Sequence, residues 1–171
     1  MSLETVFAID DFLPFLYIII CLVSVAHFQM TTSLSLLTTV ICIAEFANNA
    51  VRSPVWDSLP YLDPDIARIV WTGLWVSINF ITVWVVYRIH VWRNIAISTE
   101  AYAFNWLLIT QNILITLRYL SAITVKSEYY AIFYQYIIPI SNVGLGIYLI
   151  FALIRNLYDI RIQARVRRLP L

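Results

Sequence analysis

From Phe12 to Val51 the chain runs apolar for forty residues with almost no break. As one helix this stretch would be about 60 Å long, twice the roughly 30 Å thickness of a hydrocarbon layer. A helix of that length cannot cross once and stay apolar throughout. The run has to fold back on itself. Its most polar point is the segment His27-Phe-Gln-Met-Thr-Thr32. A turn there gives a first span near 11–28 and a second near 33–51. No Gly or Pro marks the turn, so its polarity alone places it.

The rest of the composition agrees that lipid is the solvent. The chain is 61% hydrophobic and 12% charged, against about 45–50% and 25% for soluble proteins. Mean hydropathy is +0.81. Six Trp and eleven Tyr supply the amphipathic aromatics that settle at membrane–water interfaces. A net charge of +1 offers no basic field for nucleic acid. Glu4, Asp10 and Asp11 replace the basic start of a cleavable signal, so the first apolar run is expected to remain as a span. Cys21 and Cys42 both lie in apolar segments and read as small buried hydrophobes rather than a disulfide.

Beyond Val51 the punctuation is clearer. Residues Arg52 to Asp65 hold Pro54, Pro60 and Pro64 with three aspartates and read as a loop. Asp63-Pro-Asp65 is a helix start with acids in its first turn. A third span covers about 66–87, a fourth 101–123 and a fifth 129–154, with Pro139 expected to kink the last. A basic tail, 155–171, follows. The fold class is thus an all-α transmembrane bundle of five spans in one integral membrane domain. The alternative is four spans plus an interfacial helix in the first run.

Charge sets the orientation. With the C-terminus inside, the inner segments hold seven arginines (88, 93, 155, 161, 165, 167 and 168) and the outer segments only Arg52, Arg68 and Lys126. That bias predicts N-terminus out and C-terminus in. A plasma or bacterial inner membrane fits best, with an organelle membrane as the alternative. The tail arginines Arg161, Arg165, Arg167 and Arg168 are placed to meet anionic lipid headgroups.

Two charges fall inside spans, Glu45 and Arg118. Each lies about six residues from the outer end of its span, roughly 9 Å below the boundary. An isolated charge in hydrocarbon is costly, so the two are expected to pair, with Gln135 at the same depth as a hydrogen-bonding neighbour. Asn79, Gln111, Asn112, Ser141 and Asn142 form a second polar layer near the midplane. They serve either as glue between helices or as the lining of a polar path.

No nucleophile triad, metal-ligand spacing, P-loop or dinucleotide fingerprint occurs in the sequence. The expectation is a protein that is not an enzyme and needs no cofactor. It would act as a subunit or scaffold among other membrane subunits or copies of itself. The alternative is an oligomeric channel or transporter unit lined by the polar layer. A third reading takes His27 and His90, at the inner ends of two spans, as axial ligands of a haem.

Overall fold

The computed structural model describes residues 3–28, 30–124 and 128–166. Among these the chain forms five α-helices: α1 (Leu3–Phe28), α2 (Ser33–Ser58), α3 (Pro64–Arg93), α4 (Thr99–Thr124) and α5 (Glu128–Val166). A 3₁₀ turn at Leu59–Tyr61 precedes α3. Four of the helices are long and apolar enough to cross a membrane, and α1 adds a shorter apolar stretch, Phe12–Phe28. This is a helical bundle suited to a bilayer.

The fold-back within the first apolar run falls where polarity places it. Helix α1 ends at Phe28, and Met30 takes a left-handed φ of 57°. Thr32 then caps α2: its hydroxyl accepts from the Ser35 N–H, and the Ser35 hydroxyl accepts from the Thr32 N–H. This reciprocal box satisfies two helix-start donors. It does the work that Gly or Pro does in other turns. At α3, Asp63 accepts from the Asp65 N–H and Pro64 fills the first helical position. Asn94, left-handed at φ 53°, closes α3.

Two boundaries differ from expectation. Residues 52–58 are not loop but the last turns of α2, with Pro54 inside the helix. Proline removes one helical hydrogen bond and crowds the carbonyl four residues back. Here that carbonyl belongs to Ala50, which is exposed and free to find water at the interface. The tail also starts as helix: α5 continues unbroken to Val166. Its 39 residues make it about 58 Å long, far beyond a hydrocarbon layer.

The helices pack as a ring in which α1 meets α2, α2 meets α3, α3 meets α4, α4 meets α5, and α5 returns to α1. Helix α2 also reaches α4 across the ring. Chain direction alternates, so the ring closes on a parallel pair, α1 and α5. One end of the bundle carries Arg88, Arg93, Arg155 and Arg161, and we call it the basic end. The other carries Asp57, Asp63 and Asp65 and is the acidic end.

Packing is concentrated toward the basic end. From Ser33 to Ile41 every residue of α2 except Thr39 is buried, so its first half lies inside the ring. Around it stand Thr82, Val86 and His90 of α3, Phe104 and Leu108 of α4, and Leu145, Leu149 and Leu153 of α5. On α1 the buried stripe is Leu13, Tyr17, Ile20, Ser24 and Phe28, recurring every three or four residues. Toward the acidic end, residues 42–58 of α2 and 64–81 of α3 include no buried position.

The parallel seam of α1 and α5 depends on a glycine. A Cβ at Gly146 would lie 3.1 Å from a methyl of Leu16 and 3.8 Å from one of Leu13. Gly144 has open space at the same test. Gly146→Leu should therefore overpack the seam and cost about 1–3 kcal/mol, whereas Gly144→Leu should be close to neutral. Unfolding of each variant in a detergent–SDS series measures the difference.

Candidate functional site

Polar contacts inside the bundle gather in three groups, while the buried Ser24 and Ser121 hydroxyls stand outside them. The first joins helix ends at the basic end. His90, 1% exposed, sits one turn before the end of α3. Its Nε2 lies 2.7 Å from the Ser33 hydroxyl at the start of α2, and its Nδ1 lies 2.6 Å from the Val86 carbonyl. The Ser33 oxygen also accepts the Ser98 N–H at 3.0 Å, just before α4. Hydrogen-bond accounting then fixes the histidine tautomer. The Val86 carbonyl can only accept, so Nδ1 carries the proton. Nε2 then accepts from Ser33. A doubly protonated ring would leave the buried Ser33 hydroxyl hydrogen without an acceptor.

Next to this junction Glu100, 3% exposed, receives Arg155 Nη2 of α5 at 2.5 Å. The two ends of this pair differ: the carboxylate is enclosed, while the Arg155 side chain is 65% exposed. Glu100 also lies in the first turn of α4, where the exposed N–H groups of a helix favour a negative charge. Arg93 completes the end by donating to the Met30 carbonyl in the α1–α2 turn at 3.4 Å.

The second group is a layer of amides near the middle of the helices. Asn79 Nδ2 of α3 donates to Asn112 Oδ1 of α4 at 3.0 Å, and Asn112 Nδ2 donates to the Val76 carbonyl at 3.4 Å. On the other face of α4, Gln111 Nε2 donates to Asn142 Oδ1 at 2.8 Å and to the Ser141 hydroxyl at 3.2 Å. The Tyr17 hydroxyl of α1 donates to the Asn142 backbone carbonyl at 2.9 Å. A belt thus runs from α3 through α4 and α5 to α1. Two of its bonds, Asn79–Asn112 and Gln111–Asn142, join amides of neighbouring helices.

The third group lies toward the acidic end. Arg118 is half-buried, with its guanidinium carbon 4.5 Å above the centre of the Tyr134 ring. It lines a small cleft with Leu114, Leu117, Tyr130, Phe133 and Tyr134. The charge therefore meets an aromatic face, an arrangement favourable in low dielectric. The ion pairs described are Arg155–Glu100 and Arg68–Asp65; the expected Glu45–Arg118 pair is not among them. Glu45 is half-buried and has contacts of its own. In the ring order α3 stands between α2 and α4.

Gln135 is exposed on α5 rather than interior, because the turns around Tyr129, Ile132 and Phe133 are only lightly covered by neighbouring helices. His27 is exposed and bonds its own helix at the Val23 carbonyl, 2.9 Å away. His90 has both ring nitrogens engaged and keeps no lone pair for a haem iron. Among the described residues no group of three or more His, Cys, Asp or Glu side chains gathers. Arg161 is exposed on α5; Arg165 lies in the same helix with its side chain, like Arg167 and Arg168, outside the described residues.

Sequence reasoning missed Ser33, Ser98, Glu100 and Arg155 as partners. A signal was available for Glu100, an acid at the first turn of an apolar helix. None was available for Ser33 and Ser98, whose hydroxyls gain meaning only when three helix ends meet. No protein-family model matches the chain, and neither a curated protein nor a solved structure matches it. If the amide belt couples α3 to α4, Asn79→Leu and Asn112→Leu should be less than additive. A double-mutant cycle on unfolding in detergent should give a coupling of about 0.6 kcal/mol, up to about 1.7.

Proposed function

We propose that this is a non-enzymatic integral membrane protein that works as a subunit or scaffold of a larger membrane complex. The observation that carries the reading is Arg118. It is a permanent cation within an apolar helix, half-buried beside a cleft, and its contact is the Tyr134 ring rather than a carboxylate. A cation held this way suits a neighbouring helix that brings an acidic side chain into the bilayer. The amide belt supports the same reading, because groups bonded to one another hold helices in register rather than face a solute.

The proposed arrangement has five spans, with the basic end toward the cytoplasmic or equivalent inner side and the N-terminus outside. An N-terminal cysteine should then react with an impermeant maleimide added outside sealed, right-side-out vesicles. Protection there sinks the orientation.

A second reading, an oligomeric channel or transporter unit, draws on the exposed Gln135, which a neighbouring copy would cover. Purification in mild detergent separates the two. The subunit reading predicts stoichiometric foreign membrane proteins that are lost from Arg118→Met, while the variant itself remains folded. A pure homo-oligomer, or co-purification unchanged in Arg118→Met, contradicts it.

A further inference from the structure

We propose that Cys21, Met30 and Cys42 form a binding site for a soft monovalent cation of the copper(I) class. The chain has two Cys and two Met, and the sulfur atoms of Cys21 and Met30 meet at one hydroxyl at the α1–α2 seam. The Thr39 hydroxyl, which donates to the Ser35 carbonyl at 2.8 Å, lies 3.3 Å from the Met30 thioether. The same hydroxyl oxygen lies 3.7 Å from the Cys21 thiol. Cys42 stands one helical turn beyond Thr39, and its thiol is close enough to Cys21 for the two to interact directly. These residues are half-buried: shielded from bulk water yet not sealed.

The backbone at Met30 points the same way. Its left-handed φ of 57° would come more cheaply from glycine or asparagine, yet a thioether is placed there. Strain retained at a position is reason to ask what the side chain does. The Met30 carbonyl is also tied to Arg93, and its sulfur lies beside Thr39, so the turn carries this ligand into the seam.

Ligand chemistry selects the ion. Thiols and a thioether are soft donors and favour copper(I), whereas magnesium and calcium need oxygen cages. Zinc sites are built from thiolate, imidazole and carboxylate, and a thioether does not serve there. Charge also fits. One thiolate, one thiol and one thioether around a monovalent cation give a neutral assembly, the form least costly in low dielectric. Binding is coordination alone: copper–sulfur bonds form, one thiol proton leaves to solvent, and nothing is oxidised.

The test is titration of the reduced protein in detergent with copper(I) buffered by bathocuproine disulfonate. The site predicts that one ion per chain moves from chelator to protein, with near-ultraviolet charge-transfer absorption, and that both cysteines become resistant to N-ethylmaleimide. Cys21→Ser and Cys42→Ser should each weaken binding about ten- to a hundredfold or more, and Met30→Leu by less, since outer-shell changes alone reach the lower range. Thr39→Val, which leaves every sulfur in place, should still bind. The proposal is overturned if the wild-type protein takes no copper(I) from the chelator. It is also overturned if the Cys21→Ser/Cys42→Ser double variant binds as well as wild type, or if copper(I) leaves both thiols fully reactive. The alkylation result on wild type stands even where a variant fails to fold.

Discussion

A single hydroxyl, that of Ser33, is where three helix ends meet. It belongs to the first residue of α2, donates to His90 in the last turns of α3, and accepts from the N–H that precedes α4. In water such a bond adds little. In a closed helical interior, an unmet hydroxyl, imidazole and amide would each cost on the order of 1–3 kcal/mol. Satisfying all three at once lets α2 enter the ring with nearly every residue buried. The Leu34–Ile41 core, the Glu100–Arg155 pair and the Arg93 contact to the α1–α2 turn assemble around that entry.

From that fixed end the bundle becomes looser. The amide belt ties four helices near their middle, and beyond it the described parts of α2 and α3 contribute no buried residue. Lipid can cover most of that surface, since exposed Ile, Phe, Trp and Tyr dominate it. It is less suited to cover Arg118. The stacking of Arg118 on Tyr134 reduces the cost of the charge without neutralising it. That contrast between a basic half tied by the Ser33 junction and an acidic half where, among the described residues, Arg118 meets an aromatic face is the physical basis for reading the protein as one part of a larger assembly.

Much of the fold was legible because the membrane imposes a length. A forty-residue apolar run had to turn, and the turn fell at the polar segment ending in Thr32. Asp63 and Pro64 announced α3 in the same way. What was not legible followed from tertiary placement. Pro54 looked like loop but sits in an exposed last turn, where a lost helical bond is cheap. Gln135 shares a stripe with Asn142, yet the first turns of α5 lack close neighbours. Matching depth suggested Glu45 as the partner of Arg118, but depth along a helix says nothing of order around a ring. The midplane amides were visible as a layer, while the pairs Asn79–Asn112 and Gln111–Asn142 needed the helix order.

The claim that the bundle is organised from the Ser33 junction rests on His90 holding its proton on Nδ1. Nitrogen-15 NMR of histidine-labelled protein in lipid, carrying His27→Gln so that only His90 reports, observes this directly. The junction predicts a protonated Nδ1 and an unprotonated Nε2 that accepts a hydrogen bond, with the Nε2 shift changing in Ser33→Ala. A proton on Nε2, an imidazolium pattern, or a spectrum indifferent to Ser33→Ala would contradict it.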